Sequence, residues 1–254
     1  MTARLEIVAV PGVPEVAKGS SPGALIAAAA GRMGLAITDA DVVVVSQKIV
    51  SKAEGRVRDL GDVEPGPNAL AIAARLDKDP RLVELTLAES RRVVRAERGV
   101  LIVETRGGWI CANAGIDASN VPGDETVALL PENADASARQ LRSDLEAATG
   151  SRPAMIIADS FGRPWRLGQT DVAIGCAGIG PIDDWRGRTD REGRPLTATA
   201  VAVADELAGA ADLARDKSSG APAVLIRGAE RWTSAGDGPG AGALRRSEGE
   251  DLFR

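Results

Sequence analysis

Histidine is absent from this 254-residue chain. That absence removes Ser-His-Asp and Cys-His nucleophilic systems and every His-ligated metal site, so any catalytic metal must be held by oxygen ligands. Cysteine is scarce too. Cys111 and Cys176 are too few and too far apart for a disulfide framework or a C-x-x-C zinc motif, and they read as reduced thiols. Positive charge is in deficit: 31 Lys and Arg against 36 Asp and Glu leave a net charge of −5, which gives no overall attraction to nucleic acid. No apolar run approaches the length needed to cross a membrane, and "MTARLEIVAV" passes straight into "PGVPEV" without a signal-peptide core. These absences predict a cytoplasmic protein that binds neither nucleic acid nor membrane.

What is present is a chain with 44% hydrophobic residues, enough for a substantial core. Short β-branched runs, "RLEIVAV", "DVVVVSQKIV", "VLIVETR", "AMIIADS" and "AVLIRG", predict buried strands of mixed sheets. Helical patterns lie between them. "PGALIAAAAGRMG" ends in glycine, "PENADASARQLRSDLEAATG" leads with acids and closes on glycine, and "TATAVAVADELAGAADLARD" sets Val203, Leu207, Ala210 and Ala214 on one face. The fold class is therefore α/β, in the mixed α+β sense, with sheets flanked by helices. "GDVEPGPN", "TDREGRP" and the glycine cluster "GDGPGAGA" read as loops. Residues 1–232 form the expected domain and 233–254 a C-terminal tail or linker.

Three clusters could do chemistry. In "IIADSFGRPWRLGQTDVAIG", Asp159 and Ser160 stand at the end of a strand-like run, where an α/β sheet opens toward ligands. Arg163, Trp165, Arg166, Gln169 and Asp171 follow more densely than a simple turn requires. In "ICANAGIDASNV", Asp117, Ser119 and Asn120 follow another strand-like run. Carboxylates from separate strand ends can converge on Mg²⁺ or Mn²⁺, and Asp117 with Asp159 is the leading metal pair. An Asx-turn at each site is the alternative. In "VVVVSQKIVSKAEGR", Gln47, Lys48 and Lys52 follow a hydrophobic strand, where lysine can steady a phosphate or stand solvated. No G-x-x-x-x-G-K-[ST] loop occurs.

Taken in order, "PGVPEV", "VVVVSQKIVSKAEGR", "VETRGGWICANAGIDASN", "IIADSFGRPWRLGQTDVAIGCAGI", "DDWRGRTDREGRPL" and "AVADELAGAADL" closely resemble the coenzyme F420-0:L-glutamate ligase family, also called F420 gamma-glutamyl ligases, from about residue 6 to residue 230. The resemblance implies an α/β fold of two intertwined parts and a homodimer. It implies a GTP-dependent enzyme that joins L-glutamate to the lactyl carboxylate of F420-0, then adds γ-linked glutamates, through an acyl phosphate. The implied cofactors are Mn²⁺ or Mg²⁺, up to two ions, with K⁺ as a further candidate.

Matched residue by residue, the implied metal ligands are Asp117, Asp159 and Ser160, and the implied nucleotide contacts are Val13, Pro14, Glu15, Val16, Gln47, Lys52 and Asn120. Arg163 and Arg166 are candidate clamps for anionic substrate groups. Where some members place a Gln that contacts a second metal, this chain has Lys217. An ammonium has no lone pair, so the expected partner of Lys217 is phosphate. Trp165 either stacks on the flat deazaflavin ring or serves a core or interface. Arg186, Arg188, Arg191 and Arg194 are either carboxylate and phosphate binders or solvated surface groups. "GALRRSEGEDLFR" is similar to the junction that precedes a nitroreductase-like domain in bacterial relatives. Two other readings stay open: a nucleotide- and metal-binding protein without turnover, and an amide ligase for a different phosphorylated carboxylate.

Overall fold

A computed structural model describes residues 4–252 apart from 120, 122 and 216–218. Along the chain run β1 (Glu6–Val10), α1 (Pro22–Arg32), β2 (Val42–Ser46), α2 (Gln47–Ala53), β3 (Val57–Asp59), α3 (Pro67–Leu76) and α4 (Pro80–Ala88). Then come β4 (Ser90–Glu97), β5 (Val100–Thr105), β6 (Ile110–Ala112), β7 (Thr126–Ala128), α5 (Ala134–Thr149), β8 (Ala154–Arg163) and β9 (Arg166–Ala177). The two-residue strands β10 (Asp183–Asp184) and β11 (Ala200–Val201), α6 (Val203–Ala214) and β12 (Ala223–Arg227) follow.

The central sheet has the order β1-β12-β2-β8-β9, antiparallel throughout except for the parallel pair β2 and β8. Because side chains alternate across a strand, Val43 and Val45 enter one core with Met155, Ile157 and Leu225, against Ile26 of α1 and Leu141 and Leu145 of α5. Val42 and Val44 enter the other with Ile156, Val224 and Ile226, against Val203, Leu207 and Ala211 of α6. Both faces are thus covered, which is why these strands read as continuous apolar runs. Each fully buried Ile or Leu contributes on the order of 2 kcal/mol.

The five expected strands all form, with one correction. The run 41–50 is a strand only to Ser46, and Gln47–Ala53 turns at once into α2. The expected helices also form. The Ser21 side chain accepts from the Ala24 N–H at the start of α1, the Asn133 side chain accepts from the Ala136 N–H at the start of α5, and Gly150 ends α5 at φ 75°. The buried face of α6 is rotated from the expected one: Ala204, Ala208 and Ala211 join Val203 and Leu207, while Ala210 and Ala214 are only partly buried.

A smaller unit packs α3 and α4 on the sheet β4-β5-β6 around Ala69, Ala73, Val83, Leu101 and Val103. Neither helix is among the sequence expectations, although Asp79 followed by Pro80 is a usable start signal. Within residues 233–252, the Arg142 guanidinium of α5 donates to the carbonyls of Ser234, Ala235 and Gly236 and to Asp237. The glycine cluster at 236–243 is a loop that ends in a single 3-10 turn, Ala241–Leu244.

Candidate active site

The carboxyl ends of β2 and β8 open into a cleft of about 340 Å³. Strand and helix meet there without a linker, so Lys48 and Lys52, four residues apart on α2, share the helix face that borders it. The segment after β1 supplies Val13, Pro14, Glu15 and Val16, β8 supplies Ala158, Asp159 and Ser160, and β9 supplies Asp171. Asp212 and Arg215 close it from the end of α6.

The polar groups are paired in chains. Lys52 Nζ lies 2.5 Å from Glu15 Oε1, and Lys48 Nζ lies 2.7 Å from Asp117 Oδ2. The other Asp117 oxygen accepts from the Ser119 N–H at 2.6 Å, which forms the Asx-turn at this residue. Burial raises the Asp117 pKa, but Lys48 and the Ser119 contacts outweigh it and leave the carboxyl below its ordinary value. Asp159 goes the other way. Burial pushes it up to about 7 against the pull of Lys48, with the charges of Asp117 and Asp171 adding to the rise. On the facing strand, Asp171 accepts from Ser160 Oγ at 2.6 Å and pairs with Arg215.

Among the described residues, no group of three or more His, Cys, Asp and Glu comes together as a ready-made metal cage. The donor chemistry nevertheless suits a hard cation. Asp117, Asp159 and Ser160 offer only oxygen, and Ser160, by donating its hydrogen to Asp171, keeps its lone pairs available. The Lys48 ammonium neutralises the Asp117 carboxylate. Cys111, the nearby thiol, is pushed up to about 12, chiefly by burial and further by Asp159, and so is no nucleophile at neutral pH.

The cleft therefore assembles Val13, Pro14, Glu15, Val16, Lys52, Asp159 and Ser160, with Asp117 joined through Lys48. Gln47 is wholly buried beside it. Its Oε1 accepts from Ser51 Oγ at 2.7 Å, and its Nε2 has no partner among the described residues. Arg163 and Arg166 are not brought to the lining. They face each other at the exposed turn of the β8–β9 hairpin, where Arg163 Nη2 donates to the Leu167 carbonyl at 2.6 Å. Trp165, at the same turn, is 81% exposed. Arg186 and Arg188 pair with Asp184 and Asp183, and Arg191 and Arg194 are exposed. Asn120 and Lys217 lie outside the described residues. Asp171 and Arg215 complete the site. Asp171 belongs to the polar cluster already visible in the sequence, and the hairpin register is what opposes it to Ser160; no local signal marks Arg215.

Fold and cleft together define an α/β protein with a cleft of paired charged groups, in a chain that has no imidazole. The chain belongs to the F420-0:Gamma-glutamyl ligase family, whose model matches residues 12–228. It is 44% identical over 251 residues to a coenzyme F420:L-glutamate ligase of Methanothermobacter thermautotrophicus, covering 98% of this chain and 99% of the relative. It is 43% identical over 220 residues to the enzyme of the same name from Methanopyrus kandleri, covering 86% and 87% of the two chains. It is 41% identical over 257 residues to that from Haloarcula marismortui, covering 98% and 96%. The protein is thus a ligase. Among the described residues, no helix is long and apolar enough to cross a membrane.

Proposed function

We propose that this ligase forms an amide between L-glutamate and the lactyl carboxylate of coenzyme F420-0, cleaving GTP to GDP and phosphate, and then adds further glutamates through γ linkages. The observation that carries the reading is the convergence of Lys48, Lys52, Asp159 and Ser160 at the ends of the two parallel strands, with Asp117 paired to Lys48. A carboxylate oxygen of the acceptor attacks the γ-phosphorus as its bond to the GDP oxygen breaks, leaving an acyl phosphate. The glutamate amine attacks the acyl carbon, the C–O bond to phosphate breaks, and the nitrogen releases one proton as the amide forms.

Such transfers depend on position and charge neutralisation. Lys48 and Lys52 present ammonium groups to the phosphates, and the segment from Val13 to Val16 forms the opposite wall of the nucleotide site. A bound Mg²⁺ or Mn²⁺, held by Asp117, Asp159 and Ser160, would neutralise phosphate charge. The same reading carries a homodimer. Leu167, 97% exposed, and Trp165 beside it form the apolar hairpin turn that supports pairing, and sedimentation of a Leu167→Asp variant tests it.

The experiment for the reaction is mass spectrometry of F420-0 incubated with the protein, L-glutamate, GTP and Mn²⁺. A ladder of glutamate additions that disappears when GTP or metal is omitted is the expected result. No addition, with GTP still bound in calorimetry, would overturn the acceptor assignment.

A further inference from the structure

A second, larger cavity of about 550 Å³ is walled by the β5–β6 turn, the start of α5 and the C-terminal residues Gly242 and Arg245. It shares β9 with the cleft: Asp171 lines the cleft and Ile174 the cavity. Ile174 faces the α5 side of the sheet, whereas Asp171 faces the end of α6, where it pairs with Arg215.

The acids that border this cavity are already occupied. Glu89 and Glu132 are both paired with Arg56, and Asp135 accepts from the backbone N–H groups of Cys176, Ala241 and Gly242. Two of the remaining cations, Arg91 and Arg106, are less committed. Arg91 reaches Glu104 only at 3.6 Å, and the Arg106 guanidinium makes no hydrogen bond or ion pair among the described residues. Arg245 donates to the Gly107 carbonyl and lies over the Trp109 ring, 5.6 Å from its centroid. In a chain of net charge −5, an indole wall beside Arg91, Arg106 and Arg245, the first two with little other engagement, is a site for an organic anion with a flat ring.

We infer that this cavity holds the anionic and aromatic part of the acceptor, whose carboxylate extends to the cleft. The inference rests on the ligase reading above and adds Arg106 as an acceptor-binding residue.

The test is fluorescence titration of the full chain with F420-0, without GTP or metal, beside calorimetry with GTP, for wild type, Arg106→Ala, Arg106→Lys and Arg106→Glu. Arg106 is exposed on a turn, so these variants should fold. The expected result is about a 10-fold loss of F420-0 affinity for Arg106→Ala, a larger loss for Arg106→Glu, partial recovery for Arg106→Lys and unchanged GTP affinity. Unchanged F420-0 affinity in the Arg106 variants, beside a wild type that binds and glutamylates F420-0, would overturn the inference alone. Loss of GTP affinity instead would assign the cavity to the nucleotide and overturn it. A wild type that binds GTP but neither binds nor glutamylates F420-0 would remove the acceptor reading and the inference together.

Discussion

Asp171 and Arg215 are the residues of the site most exposed to failure by substitution. The Asp171 side chain is 2% exposed and that of Arg215 10%, so each charge depends on the other for its compensation. Breaking a buried pair by removing one partner costs about 3–5 kcal/mol, whereas replacing both partners is often close to neutral. Arg215→Ala should therefore lower unfolding stability by about that amount in denaturant titration, and the double change Asp171→Asn with Arg215→Met should recover most of it. A single substitution without effect would place Arg215 in solvent. Asp159 calls for the opposite expectation. Burial holds its pKa up to about 7, so its ionised form is a cost to the fold at neutral pH. Asp159→Asn keeps the shape and removes that charge. It should leave the melting temperature at pH 8 unchanged or higher while turnover falls about 10²–10³-fold. Near-normal turnover with an unchanged metal requirement would return Asp159 to the role of a strand-end turn residue.

The elements differ in how far the sequence announces them. Val42–Val45 and Ala154–Ala158 are legible because burial on both sheet faces leaves only apolar residues, and α1 and α5 are legible because caps and glycines mark their ends. The β8–β9 hairpin is legible only in half. Ala154–Ser160 reads as a strand, but β9 carries polar residues to Asp171 before its apolar run begins, so its pairing cannot be told from a loop without the register. The same limit hides the site: Asp159 and Ser160 announce themselves by position, whereas Arg215 meets Asp171 across 44 residues through the placing of α6. Gly175 shows what that register demands. A Cβ built there would lie 2.3 Å from the Ala134 carbonyl oxygen, because β9 runs directly under the start of α5. Gly175→Ala must push helix from sheet and should cost about 1–3 kcal/mol, read as a lowered melting temperature. Unchanged stability would show that α5 is free to move at that end.

At the scale of the molecule, α5 is the part to which the C-terminal segment is tied. Arg142, with a side chain 2% exposed, collects the carbonyls of residues 234–236 and the Asp237 carboxylate, 95 residues further along. Asp135, in the first turn of the same helix, takes the amides of Ala241 and Gly242, and from there the chain reaches Arg245 over Trp109. The Arg142 hydrogen bond holds the Asp237 carboxyl below its ordinary value of 3.8. A group depressed in the folded state contributes stability that is complete above its unfolded pKa and is lost as pH falls through the lower folded value. The tie should therefore be intact at pH 5 and above and weaken below 3.8 as Asp237 takes a proton. Asp237→Asn imposes that state at neutral pH. It should cost about 1–2 kcal/mol, since a hydrogen bond to a charged group becomes one to an amide at a partly exposed site. Because the loss is local, hydrogen exchange should rise first in residues 233–245 while the central sheet stays protected. Uniform exchange across the chain would mean that Arg142 holds the core as a whole, and no change would mean that the three carbonyls suffice without Asp237. The C-terminal segment also forms one wall of the second cavity, so the same variant should weaken F420-0 binding more than GTP binding.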